Sequence, residues 1–340
     1  MKTLEQIVAQ HREEWAARSL AQQRLEIENN EAVAKLYGLE DEVPSYVPLE
    51  RVSLTNNSAF RWPDKTPEER DILFTQSVIV DLVSYAVGCM FGRYSLDAAG
   101  LILADQGATL QDYLAKVPSP SFVPDTDNVL PIVDGDWFED DIVGEFRHFL
   151  KVAFGAEHLE ENLRFVEQSL DVKILRDYFI TRSGKSKFYD DHVKRYKKRP
   201  IYWLFSSPRG SFNALIYMHR YTPSTVSTVL NEYLREYEGK LEASLQNTEL
   251  AVKGSGTTRK HAASVREMER LRKVLVELGQ YEHDVLYPLA ARQLAIDLDD
   301  GVLVNYLRFG KALRNFGLEK DRNKVEGWEW PVNRLEPLGN

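Results

Sequence analysis

The densest grouping of reactive side chains lies in KRYKKRPIYWLFSSPRGSFNALIYMHRY, residues 194–221, and in the stretch just before it. From Arg182 to Arg199 there are eight Lys and Arg against only Asp190 and Asp191, so this segment carries +6. The whole chain is −9, which leaves −15 for everything else. A local field of that sign suits phosphate: Lys185, Lys187, Lys194, Lys197 and Lys198 are compact ammonium charges for a sugar–phosphate backbone. Arg182 adds to the same field. Arg195, Arg199 and Arg209, the last between Pro208 and Gly210, carry the planar fork that pairs with guanine edges, worth about 1–3 kcal/mol of discrimination per bidentate contact. The competing reading is a solvated basic loop that leads into an ordinary buried hairpin, because isolated charge runs most often face water.

Other chemistries are not supported. There is no GxxxxGK[ST] loop and no GxGxxG after a strand, and no HExxH. The seven His are scattered, at 11, 148, 158, 192, 219, 261 and 283, with no metal-ligand spacing. Cys89, the single cysteine, lies in the most apolar stretch and reads as a buried structural thiol. Asp64 or Asp125 with Glu238 and Lys240 makes a poor nuclease pair, since Glu238 falls inside a helical pattern. Asp140-Asp141 and Asp299-Asp300 read as helix or turn caps. No Gly-rich strand-turn for S-adenosylmethionine and no [DN]PP[YFW] loop for a target base occurs.

The elements that would position the basic run are mostly helical. Residues 3–37 form one long helix, with Ile7, Val8, Trp15, Leu20, Leu25, Ile27, Val33 and Leu36 at helical spacing and Gly38 as C-cap. Four prolines make 41–67 an extended linker. Thr66-Pro67-Glu68-Glu69 starts a helix to about 92 that is apolar nearly all round, hence buried. A loop-rich region, 95–135, precedes amphipathic helices at 137–155 (Ile142, Phe146, Phe149, Leu150, Phe154) and about 156–170 (Leu159, Leu163, Val166, Leu170). A third helix runs into the basic segment. A β-hairpin is expected at 201–206 and 211–218, turning at SSPRG. Its aromatics Tyr202, Phe205, Phe212 and Tyr217 face a core, and Trp203 is the one expected to be exposed. From Thr222 (N-cap) and Pro223 two long helices run to about 252 and back from 261, joined by GSGTTRK. Their seam is Val226, Val229, Tyr233, Tyr237 and Leu241 against Met268, Leu271, Leu275 and Leu278.

The fold class is therefore mainly α with a small β-hairpin (α+β): a helical domain plus a long antiparallel helical hairpin. Five regions are expected: an N-terminal helix (1–40), a linker and buried helical core (41–115) and a helical and hairpin recognition region (116–222). A helical spacer (223–295) and a C-terminal tail (296–340), which holds Trp328 and Trp330, complete the chain. With 340 residues, 43% hydrophobic, a sizeable core can form. No signal peptide is apparent, the apolar stretches look too short to span a bilayer, and one cysteine excludes a disulfide framework, so a cytoplasmic protein without membrane contact is expected.

Several strings point to a family. VSYAVGCMFGRYSLDAAGLILADQG (83–107), WFEDDIVGEFRHFLKVAFG (137–155), KKRPIYWLFSSPRGSFNALIYMHRY (197–221) and AIDLDDGVLVNYLRFGKAL (295–313) resemble the C-terminal part of the BREX phage-defence adenine-specific DNA methyltransferases, the PglX (BrxX) family. NNEAVAKLYGLEDEVP (29–44) resembles the segment after the catalytic region of that family. Members are longer chains, with a Rossmann-type methyltransferase region followed by target-recognition and spacer regions. The resemblance implies N6-adenine methylation of a short non-palindromic site with S-adenosylmethionine, marking host DNA beside other BREX proteins. The motifs for catalysis and cofactor do not occur in this chain, so no catalytic residue carries over and no cofactor is expected on it. Met1 is compatible with a split gene, a truncated frame or an excised piece.

Three roles remain open on sequence alone. The leading one is a DNA-recognition and spacer module for double-stranded DNA, serving a methyltransferase catalytic region in cis or in trans, with Arg182, Lys185, Lys187, Lys194, Arg195, Lys197, Lys198, Arg199 and Arg209 as contacts. The second is a scaffold docking other BREX components or a phage antagonist. The third is an inactive remnant.

Overall fold

The computed structural model describes residues 2–254 and 259–317. Trp328 and Trp330, and most of the GSGTTRK connection, lie outside the described residues. The chain divides into two compact units, each built from separated stretches: Met1–Ser84 with Leu150–Lys173, and Tyr85–Phe149 with the chain from Ile174 onward.

In the first unit, α1 (Leu4–Tyr37) begins where the Thr3 side chain accepts from Gln6 N and the Gln6 side chain reaches back. It ends at Gly38, whose φ of 66° only glycine adopts without a Cβ penalty. Leu4 N donates to Asn162 Oδ1 at 2.8 Å, anchoring this end of the helix. The apolar stripe expected along α1 is largely unburied. Leu4, Val8 and Ala34 are covered, whereas Leu25, Val33 and Leu36 are exposed. The 41–67 segment meets α1 through polar bonds, Gln23 to Val47 O and Asn30 to Ser45 O, rather than by covering those side chains.

Helix α2 (Pro67–Met90) starts at a reciprocal cap: Glu69 N donates to Thr66 Oγ1, and Thr66 N to Glu69 Oε2. The expectation of burial nearly all round holds only toward its end, where Val83, Ala86, Val87, Cys89 and Met90 are covered; Ile72 is 68% exposed. Burial pushes the Cys89 thiol up to about 12, as expected of an inert structural cysteine. The expectation that every apolar stretch is too short for a bilayer also needs correction. Among the described residues α2 is long and apolar enough, by length and composition, to cross one. Helices α3 (Ile142–Phe154) and α4 (Leu159–Ser169) bury the predicted faces: Ile142, Phe146, Phe149 and Leu150, then Leu159, Leu163 and Val166. The first of these starts five residues later than predicted. Asp141 Oδ1 accepts Gly144 N at 2.7 Å and sets the N-terminus there.

The second unit is organised on a three-stranded antiparallel sheet in the order β1 (Val129–Pro131), β3 (Asn213–Tyr217), β2 (Tyr202–Ser206). The hairpin register is Tyr202↔Tyr217 to Ser206↔Asn213. The sequence reading missed β1, a three-residue strand in a proline-rich loop whose Pro131 is tolerated because the strand lies at an edge. Every residue of all three strands is buried, so the sheet has no open face. Trp203, expected to be exposed, is instead fully buried against Tyr221, Tyr306 and Phe309, with Nε1 donating to Pro200 O. The four other hairpin aromatics are in the core as expected. The far edge of β2 is met by residues 313–314: Leu313 bridges Phe205, and Arg314 N donates to Leu204 O at 2.8 Å.

Ser186 caps helix α5 (Lys187–Arg195), whose buried face is Phe188, Tyr189, His192 and Val193. The long hairpin has arms that each include a π-helical turn, Val229–Leu234 before α6 (Arg235–Gly254) and Glu282–Leu286 after α7 (Arg259–Tyr281). The first arm starts at Thr225, not at Pro223. Thr222 instead makes a local turn, accepting Thr225 N and donating its own N–H to Thr225 Oγ1. The expected seam is only partly a helix–helix contact. Tyr233 and Tyr237 turn toward Phe138, Trp137 and Phe212 of the sheet-bearing unit.

Candidate nucleic-acid interface

The turn of the hairpin is held from outside itself. Gly210 N donates to Ser207 O at 2.8 Å, a β-turn with Pro208 at its second position, and Gly210 takes φ 73°. Glu277 of α7, 7% exposed, points its carboxylate into this turn. Oε1 accepts Ser207 Oγ at 2.6 Å and Arg209 N at 2.7 Å, while Oε2 accepts Ser211 Oγ at 2.6 Å. A second turn, Thr181–Lys185, abuts the first. Gly184 (φ 76°) lies so close that a Cβ there would stand 2.0 Å from Arg209 O. Both turns are thereby locked in one relative position.

Beside them opens a cleft of about 1040 Å³, bounded by the two turns, α7 and residues 306–315. Arg182, Lys185 and Arg209 line it, three of the nine predicted contact residues. Arg270, Lys273, Lys311 and Arg314 join them from elsewhere in the chain. Arg182, 87% exposed, stands 3.5 Å from Asp134; Arg270 is bonded to Glu267; Arg314 donates to Gly184 O at 2.8 Å. Among the described residues no carboxylate lies within ion-pair distance of Lys185, Arg209, Lys273 or Lys311. Among the described lining residues Glu277 is the one acid, and its oxygens bond the turn.

The other six predicted residues are not in the cleft lining. Lys187, Lys194 and Arg195 are exposed on α5, opposite its buried aromatic face, with the Lys187 ammonium 6.0 Å from the Tyr178 ring centroid. Lys197, Lys198 and Arg199 follow in an exposed turn, where both lysines take left-handed φ, 50° and 63°. Two consecutive non-glycine residues in that region are uncommon and cost of order 1 kcal/mol each or more. The turn is held by Lys198 N donating to Val193 O at 2.8 Å. Beneath α5, His192 Nε2 accepts Tyr202 N at 3.1 Å, and burial, with Arg195 and Arg93 nearby, lowers its pKa to about 3.

Arg270, Lys273 and Glu277 went unnoticed in sequence although their spacing, i, i+3, i+7, places them on one helix face. Asp141 does cap a helix, as expected, but it also pairs with Arg176 Nη2 at 2.7 Å, a partner its sequence neighbours do not reveal. Among the described residues no group of three or more His, Cys, Asp or Glu is arranged to hold a metal ion.

No family model matches the chain. Individual proteins do. Over 278 residues, 78% of the chain, it is 37% identical to the adenine-specific methyltransferase BrxX of Escherichia coli O9:H4 (strain HS). Over 327 residues, 88% of the chain, it is 31% identical to the adenine-specific methyltransferase PglX of Lacticaseibacillus casei (strain Zhang). The chain belongs to the BREX PglX/BrxX family. It spans 23% and 25% of the length of these PglX/BrxX relatives.

Proposed function

We propose that the chain is the DNA-recognition part of a BREX-type adenine-specific DNA methyltransferase, working in the cytoplasm on double-stranded DNA and beside other BREX proteins. The observation that carries this reading is the gathering of exposed cations on α5, its following turn and the neighbouring cleft, in a PglX/BrxX relative whose net charge is −9. Such a local field is what phosphate contacts require, whatever the total charge. Methylation and S-adenosylmethionine belong, in this reading, to a catalytic region supplied in cis or in trans. The sheet here is antiparallel, with SSPRG at its hairpin turn rather than a Gly-rich strand-to-helix turn, so no catalytic step is assigned to its residues. In a fluorescence anisotropy titration the full chain is expected to bind duplex DNA with a steep salt dependence. Changing Lys194, Lys197, Lys198 and Arg199 to Ala together should weaken binding and flatten that dependence. Equal binding by the two proteins defeats the assignment of these residues.

A second reading, a scaffold that docks other BREX components, is favoured by one observation: Leu36 and Tyr37 at the end of α1 are 77% and 71% exposed, with Tyr46 nearby in sequence at 67%. Co-elution with a purified BREX component that is lost in a Leu36→Asp/Tyr37→Asp variant, together with no DNA retention, would decide for it.

A further inference from the structure

We propose that the cleft between the Thr181–Lys185 turn, the Ser207–Ser211 turn, α7 and residues 306–315 is a preformed phosphodiester-binding site that takes the backbone of one DNA strand. The inference rests on the DNA-recognition reading and goes beyond it. It assigns a binding surface distinct from α5, with Lys273 and Lys311 as contact residues that the basic run does not contain.

Charge is the first reason. Lys185, Arg209, Lys273 and Lys311 come from four separate segments and converge on one concavity with no carboxylate in ion-pair range among the described residues. Solvated surface charges need not converge; four uncompensated cations facing one another repel, and an anion in the cleft removes that repulsion. Glu277 contributes one negative charge to a lining that holds seven Lys and Arg, so among the described residues the cleft remains strongly positive; its oxygens bond the turn and form no ion pair with these four.

The character of the lining selects backbone over bases. Among the described residues Tyr306 is the only aromatic in the lining, and it is 3% exposed with its hydroxyl donated to Arg314 O. Single-strand binders stack unpaired bases on exposed aromatic rings, and the described residues of the cleft offer none. What it offers is cationic donors, the groups that fix register on a phosphate backbone. At about 1040 Å³ the cleft lies at the upper end of the range for small-molecule pockets.

Preorganisation is the third reason. Gly184 and Gly210 touch through their backbones, and Glu277 holds the Arg209 amide, so the Arg209 backbone is set before any ligand arrives. A binding loop that is already ordered avoids much of the entropy cost of association.

The test uses the full chain and a fluorescein-labelled duplex of mixed sequence, with anisotropy read over a salt series. Lys273→Ala/Lys311→Ala is compared with Lys194→Ala/Lys197→Ala, at the end of α5 and in the turn that follows it. All four side chains are exposed, so folding should be unaffected, as urea midpoints will verify. Loss of two phosphate contacts should reduce the log–log salt slope by about 2 and low-salt affinity by roughly tenfold. Lys273→Glu/Lys311→Glu should weaken binding further. If the wild type binds and the Lys194/Lys197 variant weakens binding while the Lys273/Lys311 variants match wild type in affinity and slope, the cleft assignment is overturned and DNA recognition stands. If the wild type binds no duplex even at low salt, both fall.

Discussion

Glu277 offers the sharpest test of how the hairpin turn is held. Its carboxylate accepts three hydrogen bonds at 2.6–2.7 Å, two from serine hydroxyls and one from the Arg209 amide. Hydrogen bonds to a charged group contribute about 1.5–3 kcal/mol each, and neutral ones about 0.5–1.5. In Glu277→Gln the oxygen in the Oε1 position can keep both of its bonds as neutral ones, and the amide NH2 can donate to Ser211 Oγ, which turns to accept. The three bonds weaken but survive, and one buried charge is relieved of its desolvation, so the net loss should be about 1–2 kcal/mol. Glu277→Leu removes the acceptor altogether and strands the Arg209 N–H. The part-exposed Ser211 hydroxyl can rotate toward water, the buried Ser207 hydroxyl and the Arg209 amide lose their acceptor, and about 3–5 kcal/mol should be lost. Urea unfolding of both variants gives the stabilities, and native-state hydrogen exchange at the Arg209 amide reads the bond itself. That amide should be protected in the wild type, weakly protected in the Gln variant and fast in the Leu variant. A Glu277→Leu protein within about 0.5 kcal/mol of wild type, with Arg209 still protected, would refute the claim that this carboxylate holds the turn.

Two further outcomes follow from the core beneath the basic surface. His192 is neutral in the fold, its pKa lowered to about 3 chiefly by burial. A depressed pKa contributes stability that is present above the unfolded value of about 6.5 and is lost as pH falls toward 3. The urea midpoint should therefore fall between about pH 6 and pH 4, and His192→Gln should flatten that slope; an unchanged slope would remove His192 as its source. Trp203→Ala, in a fully buried site shared with Tyr306 and Phe309, should cost about 3–5 kcal/mol in thermal or urea unfolding. A cost under about 1 kcal/mol would mean that the second face of the sheet is not packed as described.

What local chemistry specifies was readable in the sequence. Thr3 and Gly38 bound α1, Thr66 to Glu69 start α2, and Ile142, Phe146, Phe149 and Leu150 declare the buried face of α3, because caps and periodicity act within a few residues. The hairpin was legible for the same reason: two β-prone runs around a Pro-Gly turn. So were the basic run and the strings that resemble PglX/BrxX proteins. Three-dimensional packing decided the rest. Trp203 alternates as though one face of β2 were open, yet Tyr306 and Phe309, a hundred residues on, cover it. Leu25, Val33 and Leu36 have core periodicity but remain exposed, because periodicity states that a face is apolar and not that a partner covers it. Nothing local marks Glu277, whose carboxylate the fold brings to a turn some seventy residues away. The cleft is a property of that long-range closure: its cations come from residues 182 to 314, and only the tertiary fold, with Gly184 pressed on Gly210, places them around one cavity.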